Sequence, residues 1–572
     1  MDLVHPARDS PGRDVRPPVT GPPALPDIVF WMKIGLSFLF LAAAAGWAQD
    51  TDLVVYGGTA GGAITAISGA RQGLKVTLLE PGKHIGGMVS GGLSRTDVGK
   101  REVIGGYALE FYWRAGSAYH MAQHLQDIAW LPEPHVAEAL FRKMLQDAGV
   151  TVVFNSRLRE KDGVRRSGAR IRSITMENGA VYTAHVFADC TYEGDLMAQA
   201  GVTFTWGREG SAQYGESLAG VRGETPLHQF RVDIPARGAD GKLLPEISPD
   251  PPGAPGTADR KVQAYNFRMI LSHDPANQVA NPRPATYDAG KFELLARYLE
   301  AITKKQGRAP HFGEVASVID IPNQKADVNN NGAFSTDYIG KSWDYPNAGY
   351  ARRAEIWRDH EEYTKGFFWF LAHDARVPAS LRQEVNEWGL AKDEFTDNRN
   401  WPYQLYIREA RRMVGEYVMS QKDIQTELTK PDPIGMGSYN SDSHNVERIV
   451  NPDGFVRNEG DMQVAVTPYQ IPYRILTPKK AEMENLLVPV CFSATHVAYS
   501  TLRMEPQYMI IGQAAGVAAA MAIRRKVAVQ DIDTAELTHT LVEHGAILEY
   551  QENRQAAIVS RFKGHWPPPA AK

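Results

Sequence analysis

Six residues, Gly57-Gly58-Thr59-Ala60-Gly61-Gly62, stand between two apolar runs and leave the chain few ways to fold. Before them, Asp52-Leu53-Val54-Val55-Tyr56 is a short β-branched, apolar run with strand character. After them, Ala63 to Ala70 reads as a buried helix, and Leu74 to Leu79 as a second strand ending at Glu80. A glycine-rich turn alone is common; strand, turn, helix, strand and terminal acid in that order predict a βαβ unit of the dinucleotide-binding kind. Gly57 permits the tight turn and Gly62 lets helix and strand pack closely. Backbone N–H groups around Gly58, Thr59 and Ala60 can then face a pyrophosphate at the helix N-terminus. Glu80, 23 positions after Gly57, is placed to accept from a ribose hydroxyl. Thr59 departs from the G-x-G-x-x-G pattern at its middle glycine. Its side chain crowds the approach to phosphate, while its hydroxyl offers a compensating hydrogen bond.

With 572 residues the chain is long enough for two or three domains around that unit. Lys plus Arg is 62 against 66 Asp plus Glu, a net charge of −4, and no basic run interrupts the balance. That leaves no electrostatic footprint for nucleic acid. Two cysteines, Cys190 and Cys491, are too few for an iron–sulfur cluster, which takes about four thiolates, or for a disulfide framework. Residues 1–31 hold seven prolines and mixed charge without apolar periodicity, and read as a disordered gene-model extension. Met32-Lys33, the apolar run Ile34 to Ala45 and the small residues before Gln49 describe a secretory signal peptide over 32–48. The run is shorter than the roughly 20 residues of a membrane span. The alternative is a real Pro-rich tail and an uncleaved anchor. Either way the expectation is an exported chain, periplasmic or extracellular, with no stable membrane span once the signal is cleaved.

Gly86-Gly87-Met88-Val89-Ser90-Gly91-Gly92 follows the second strand within a few residues. Two glycine pairs allow the backbone to run against a large flat ligand, which suits FAD better than NAD; a flexible loop is the plainer alternative. At this point the chain resembles the family of secreted or cytoplasmic FAD-dependent oxidoreductases, distant relatives of the glutathione-reductase and fumarate-reductase flavoproteins. In that family the Gly-Gly-Thr form of the loop is usual. The resemblance runs from about Asp50 to Asp533. It implies an α/β fold: a Rossmann-like FAD-binding domain with an inserted α+β substrate or cap domain. It also implies that Gly57, Gly58, Thr59, Ala60, Gly62, Glu80, Gly86, Gly87 and Met88 hold FAD. Strands at Thr151–Phe154 and Val181–Ala188 would bring Val153 and Asp189 beside it. A small-residue helix from Gly512 to Ala522 would aim the free N–H groups of its N-terminus, at Gly512, Gln513 and Ala514, toward the flavin pyrimidine. Some relatives carry the labels heterodisulfide reductase, a name that goes with [4Fe-4S] clusters, or xanthan lyase; two cysteines exclude the clusters here.

The domain boundaries read as 50–213 for the first FAD-binding part, 214–400 for the insert, 401–550 for a C-terminal part completing the site, and 551–572 for a tail. Asp327-Val328-Asn329-Asn330-Asn331-Gly332 looks like half a calcium loop. Its twelfth position holds Tyr338, with Asp337 one place early, so a polar turn and no metal is expected. Gly366 to Leu371 reads as a core helix. Tyr406 to Met413 has helical spacing that sets Arg408 and Arg412 on one face, either a solvated basic face or a pair that grips a carboxylate or polyhydroxy substrate. Ser441-Asp442-Ser443-His444-Asn445 reads as a loop with one titratable base, and His496 stands in a second polar motif. A satisfied structural histidine is the plainer reading of each. The resemblance implies hydride transfer between flavin N5 and a small polar substrate, a carbohydrate or organic acid, with an unidentified electron acceptor. His444 is then the acid/base and His496 lies closer to the flavin. Two alternatives stay open: a carbohydrate lyase or hydrolase with a structural dinucleotide, which no close carboxylate pair supports, and a flavin-binding protein without catalysis.

Overall fold

The structure is a computed structural model that describes residues 49–119 and 128–552; the segment 1–31, the expected signal peptide over 32–48 and all but the start of the 551–572 tail lie outside the described residues. β1 (Gln49–Tyr56), α1 (Ala60–Arg71) and β2 (Val76–Leu79) form the predicted unit. β1 and β2 run parallel with Tyr56 opposite Leu79, so Gly57 and Glu80 emerge at the same edge. β3 (Thr151–Val153), β4 (Val164–Ser167), β5 (Arg170–Thr175) and β6 (Val181–Asp189) complete a sheet in the order β3-β2-β1-β6-β5-β4. β6 lies parallel to β1 with Asp189 opposite Tyr56, and Leu486–Leu487 adds a further parallel pairing on β6. The carboxyl ends of β1, β2, β3 and β6 thus share one edge, where an open α/β sheet binds its ligand. Leu53, Val54, Val55 and Tyr56 are buried, as a strand covered on both faces must be.

A second, antiparallel sheet falls within the 214–400 stretch. It contains β7 (Met269–Ser272), β8 (Gln278–Val279), β9 (Ala316–Ile321), β10 (Lys325–Asn330) and β11 (Gly389–Ala391), ordered β9-β10-β7-β11-β8. Asp327 and Asn330 are therefore strand residues, and Arg268 grips both Asp327 oxygens at 2.8 and 2.7 Å. The same stretch carries α2 (Tyr350–His373), whose Phe367, Phe368, Phe370 and Leu371 are buried as the sequence predicts. All described residues belong to one compact unit.

α3 (Glu505–Arg525) crosses α1 so closely that a Cβ on Gly512 would stand 2.3 Å from the Gly61 carbonyl oxygen, and one on Gly516 2.6 Å from the Gly69 nitrogen. The small residues are there for that crossing. The expected helix start at Gly512 is thereby corrected: α3 begins seven residues earlier, with Pro506 in its first turn, so Gly512, Gln513 and Ala514 lie mid-helix with their N–H groups committed to it. Among the described residues α3 alone is long and apolar enough to cross a membrane, and 94% of that window is buried in the protein. The helix expected over Tyr406–Met413 is also corrected. Tyr406 bridges Asn266 and Arg412–Met413 pairs with Phe204–Thr205, because buried guanidiniums at 408 and 412 must each reach different carboxylates. Ser441–Ser443 is a short strand against Met462–Val464 rather than a loop, and His444 follows it directly.

Candidate active site

At the sheet edge Gly57 takes φ +100°, and a Cβ there would fall 2.8 Å from the backbone of Cys190 and Thr191. The Gly58 N–H donates to Glu80 Oε2 at 2.7 Å and the Gly82 N–H to Oε1 at 2.6 Å, which fixes the acid at the cleft. Burial pushes the Glu80 carboxyl up to about 7, although both N–H groups pull the other way. Thr59 is the N-cap of α1: its hydroxyl accepts from the Gly62 N–H at 3.1 Å and donates to the Cys190 carbonyl at 2.8 Å. The hydroxyl is thus spent inside the protein, which corrects the expectation that it reaches a phosphate. The second loop closes on the first through the Gly86 N–H, which donates to the Gly58 carbonyl at 2.7 Å. The Met88 N–H donates to Tyr192 Oη at 2.9 Å, and that hydroxyl donates to Glu505 Oε1 at 2.7 Å. Tyr192, which the sequence reading missed, therefore joins both glycine loops to the start of α3.

Asp189 is completely buried and accepts from the Thr191 N–H, the Thr191 hydroxyl and the Met197 N–H, at 3.1, 2.7 and 2.8 Å. It shapes the turn whose next residues, Thr191, Tyr192 and Glu193, line the cleft in its place. The Val153 carbonyl accepts from the Glu80 N–H at 2.9 Å and registers β3 at the same edge. The cleft measures about 570 Å³. Gly57, Thr59, Glu80 and Gly87 line it together with Tyr350, Arg353, Trp357 and Arg358 of α2. Of its lysines and arginines, Lys83 pairs with Asp397, Arg157 with Glu177 and Arg353 with Asp195, at 2.8, 2.6 and 2.7 Å. Arg358 is exposed and has no partner among the described residues.

These residues fit a dinucleotide. The loops leave no room for side chains: a Cβ on Gly62 would stand 2.0 Å from the Gly57 oxygen, and one on Gly87 2.4 Å from Tyr192 Oη. At the start of α3, Gln507 is fully buried with both amide atoms unpaired, and Glu505 Oε2 is unpaired beside it. Unsatisfied groups cost about 1–3 kcal/mol each unless a ligand meets them. Burial raises the Glu505 carboxyl to about 8. Gly512, Gln513 and Ala514 take no part in this; the Gln513 side chain instead accepts from the Tyr107 N–H at 2.8 Å.

A second polar centre lies beyond α3's start. Arg503, just before that helix, donates to the Asp442 carbonyl at 2.7 Å and to Tyr406 Oη at 3.1 Å. Two residues on from Asp442, His444 Nδ1 is 2.7 Å from Asp337 Oδ2, and Asp337 Oδ1 is 3.0 Å from Arg408 Nη1. Burial and the Arg408 guanidinium push His444 down to about 4, against the pull of Asp337. Arg408 also donates to the Ala264 carbonyl and to Asn266 Oδ1, so its terminal nitrogens are occupied and it offers a substrate no free fork. Arg412 is spent too, on Glu209, Glu409 and the carbonyls of Gly207 and Ala494. The expected pair of substrate-binding guanidiniums is corrected accordingly. His496 sits in this same knot, Nδ1 2.7 Å from Glu409 Oε2 and its N–H donating to Glu209, with burial and Arg412 pushing it down to about 3. None of these hydrogen-bond partners comes from the glycine loops.

Glu133, His135, Asp393 and Glu394 bring their ligand atoms within 4.8 Å of one another. The Lys325 ammonium already occupies the cluster, 2.9 Å from Asp393 and 2.6 Å from Glu394, with Glu133 on its third side. Lys325→Met strands these acids and is expected to destabilise the fold by about 3–5 kcal/mol. Thermal unfolding checks this, and an unchanged Tm would contradict it.

A family model described as FAD dependent oxidoreductase matches residues 52–541. No curated protein matches. The structure is similar to OxyS anhydrotetracycline hydroxylase from Streptomyces rimosus at 13% identity, over 32% of this chain and 36% of that one, with a TM-score of 0.22. It is similar to L-proline dehydrogenase from P. horikoshii at 14% identity, over 28% and 59%, TM-score 0.22. With THI4 from Thermovibrio ammonificans it shares 17% identity over 30% and 71%, TM-score 0.21. The chain covers less than two thirds of the length of the first two.

Proposed function

The chain belongs to the FAD-dependent oxidoreductase family, and from that premise we propose that it oxidises a small polar, hydroxyl-bearing molecule, carbohydrate or organic acid, with His444 taking the proton. It is an oxidoreductase and its cofactor is FAD. Bound FAD supplies the two-electron acceptor; the protein supplies binding, orientation and proton transfer. The loop from Gly57 to Ala60 would hold the diphosphate and Glu80 would address the ribose, while Glu505 and Gln507 offer buried, unpaired polar atoms at the start of α3. The 214–400 insert acts as a cap in this proposal; in support, its helix α2 lines the same cleft as the glycine loops. Export through the signal peptide read over 32–48 belongs to the same proposal.

One observation carries the reading: His444 has Nδ1 held by a buried carboxylate, while no described residue bonds its Nε2. A base needs that open nitrogen. In the oxidation of an alcohol, His444 Nε2 would take the O–H proton, and bound FAD would accept the C–H hydrogen with its electron pair, leaving a carbonyl. Anaerobic mixing with a panel of sugars, polyols and hydroxy acids tests this, and at least one member is expected to bleach the flavin. A product formed while the flavin stays oxidised would identify a lyase or hydrolase instead.

The cap makes its own prediction. Arg358 is the unpaired cation on the cleft wall, so Arg358→Ala is expected to weaken FAD binding roughly tenfold by removing a charge-assisted contact to the diphosphate. Reconstitution of apoprotein measures it, and an unchanged Kd would separate α2 from the cofactor.

A further inference from the structure

We infer that Asp337, braced by Arg408, is a positioning residue that locks His444 in the tautomer protonated at Nδ1 and so leaves Nε2 as the proton acceptor. This rests on the reading of His444 as the base and extends it to two residues that touch neither substrate nor cofactor.

The geometry leaves His444 little choice. Asp337 lies 107 positions away in sequence, yet its Oδ2 stands 2.7 Å from His444 Nδ1, and the carboxylate is buried. Its other oxygen lies 3.0 Å from Arg408 Nη1. A guanidinium stays protonated in a protein, so the neighbouring carboxylate stays ionised; burial opposes this, but Arg408 and His444 hold the Asp337 carboxyl down at about 2. An ionised carboxylate only accepts hydrogen bonds, so the proton in the 2.7 Å contact belongs to Nδ1. The His444 N–H donates to Gln263 Oε1 at 3.1 Å and fixes the backbone. The His228 ring stacks on the imidazole at 6.3 Å between centroids and 9° between planes. Asp442, on the strand leading into His444, also favours the protonated ring. Arg408 is in turn over the Tyr406 ring at 4.6 Å, fully buried.

When Nε2 takes a proton from substrate, the imidazolium that forms is already paired with Asp337. Arg408 keeps that carboxylate from becoming the final proton acceptor. The carboxylate therefore stabilises the charge without moving a proton itself, the same division of roles by which a buried aspartate orients a catalytic histidine.

The test begins on the unmodified, FAD-loaded protein. Nitrogen NMR of a sample labelled at histidine, with the His444 signals identified by their loss in His444→Gln, reads the tautomer directly. The inference expects Nδ1–H in the native protein; a signal from the Nε2–H tautomer overturns it, without any variant having to fold. In Asp337→Asn the amide can donate to Nδ1 and the proton is expected to move to Nε2, while Asp337→Glu keeps Nδ1–H. An unchanged tautomer in Asp337→Asn also overturns the inference. With a substrate in hand, Asp337→Asn is expected to slow flavin reduction by roughly 10²–10⁴-fold with KM moved only severalfold, and Asp337→Glu to recover part of the rate. If the tautomer shifts as expected while the rate does not fall, positioning is upheld and His444 is removed as the base, so the two failures are distinct.

Discussion

Gly62→Val is expected to leave purification without flavin. Its Cβ would stand 2.0 Å from the Gly57 carbonyl oxygen and 2.9 Å from Cys190 Cβ. Neither neighbour can withdraw cheaply. Gly57 already sits at φ +100° with its N–H tied to the Leu79 carbonyl at 2.8 Å, and Cys190 follows β6 with its N–H on the Tyr56 carbonyl at 2.7 Å. Valine adds a stiff, branched side chain at a point with no free volume, where overpacking costs about 1–3 kcal/mol or more. The relief is to open the turn, which pulls the Gly58 N–H from Glu80 and spoils the diphosphate cradle. Flavin released by denaturation, measured beside far-UV circular dichroism, separates loss of cofactor from loss of fold. Gly313→Ala is the control: a Cβ there meets nothing within 4 Å, and full FAD is expected. Stoichiometric FAD in Gly62→Val would contradict the cleft.

His444→Ala is expected to keep FAD and to slow its reduction by substrate roughly 10²–10⁴-fold, the usual contribution of a positioned base. The pH dependence follows from the site. A free histidine would titrate near 6.5, and the sequence alone points to a rate rising through that range. In the fold, burial and Arg408 push His444 down to about 4. A lowered histidine pKa means the neutral, proton-accepting form is present above about 4 and is lost as pH falls through it. The native rate is therefore expected to be flat from about pH 5 to 8 as far as His444 is concerned, and to drop below. Anaerobic stopped-flow across that range and below it, to about pH 4, checks both statements. A His444→Ala enzyme as fast as native would take the residue out of the mechanism.

The dinucleotide cradle was legible because its signals are local. Glycines at 57 and 62, two β-branched strands and Glu80 all act within about two dozen residues, and the sheet sets them at one edge. Small residues were ambiguous: Gly512 and Gly516 serve a helix crossing, whereas the true start of α3 is signalled by Pro506. The helical spacing of Tyr406 to Met413 misled because Arg408 and Arg412 are core ion-pair partners rather than one face of a helix. Thr59 was expected to meet phosphate, but an N-cap is the stronger local use of that hydroxyl. Tyr192 and Asp337 were out of reach, since their roles arise from contacts 104 and 107 positions away. The one trace of Asp337 was its near-miss place in a calcium-like run, whose first half is a strand.

Purified protein, freed of oxygen, is titrated with the hydroxyl-bearing compound that reacts fastest, following flavin absorbance and carbonyl product together. One FAD per chain, with one carbonyl formed for each flavin bleached, is the predicted result. Product accumulating over an oxidised flavin, or a bound FAD that only a chemical reductant bleaches, would contradict it.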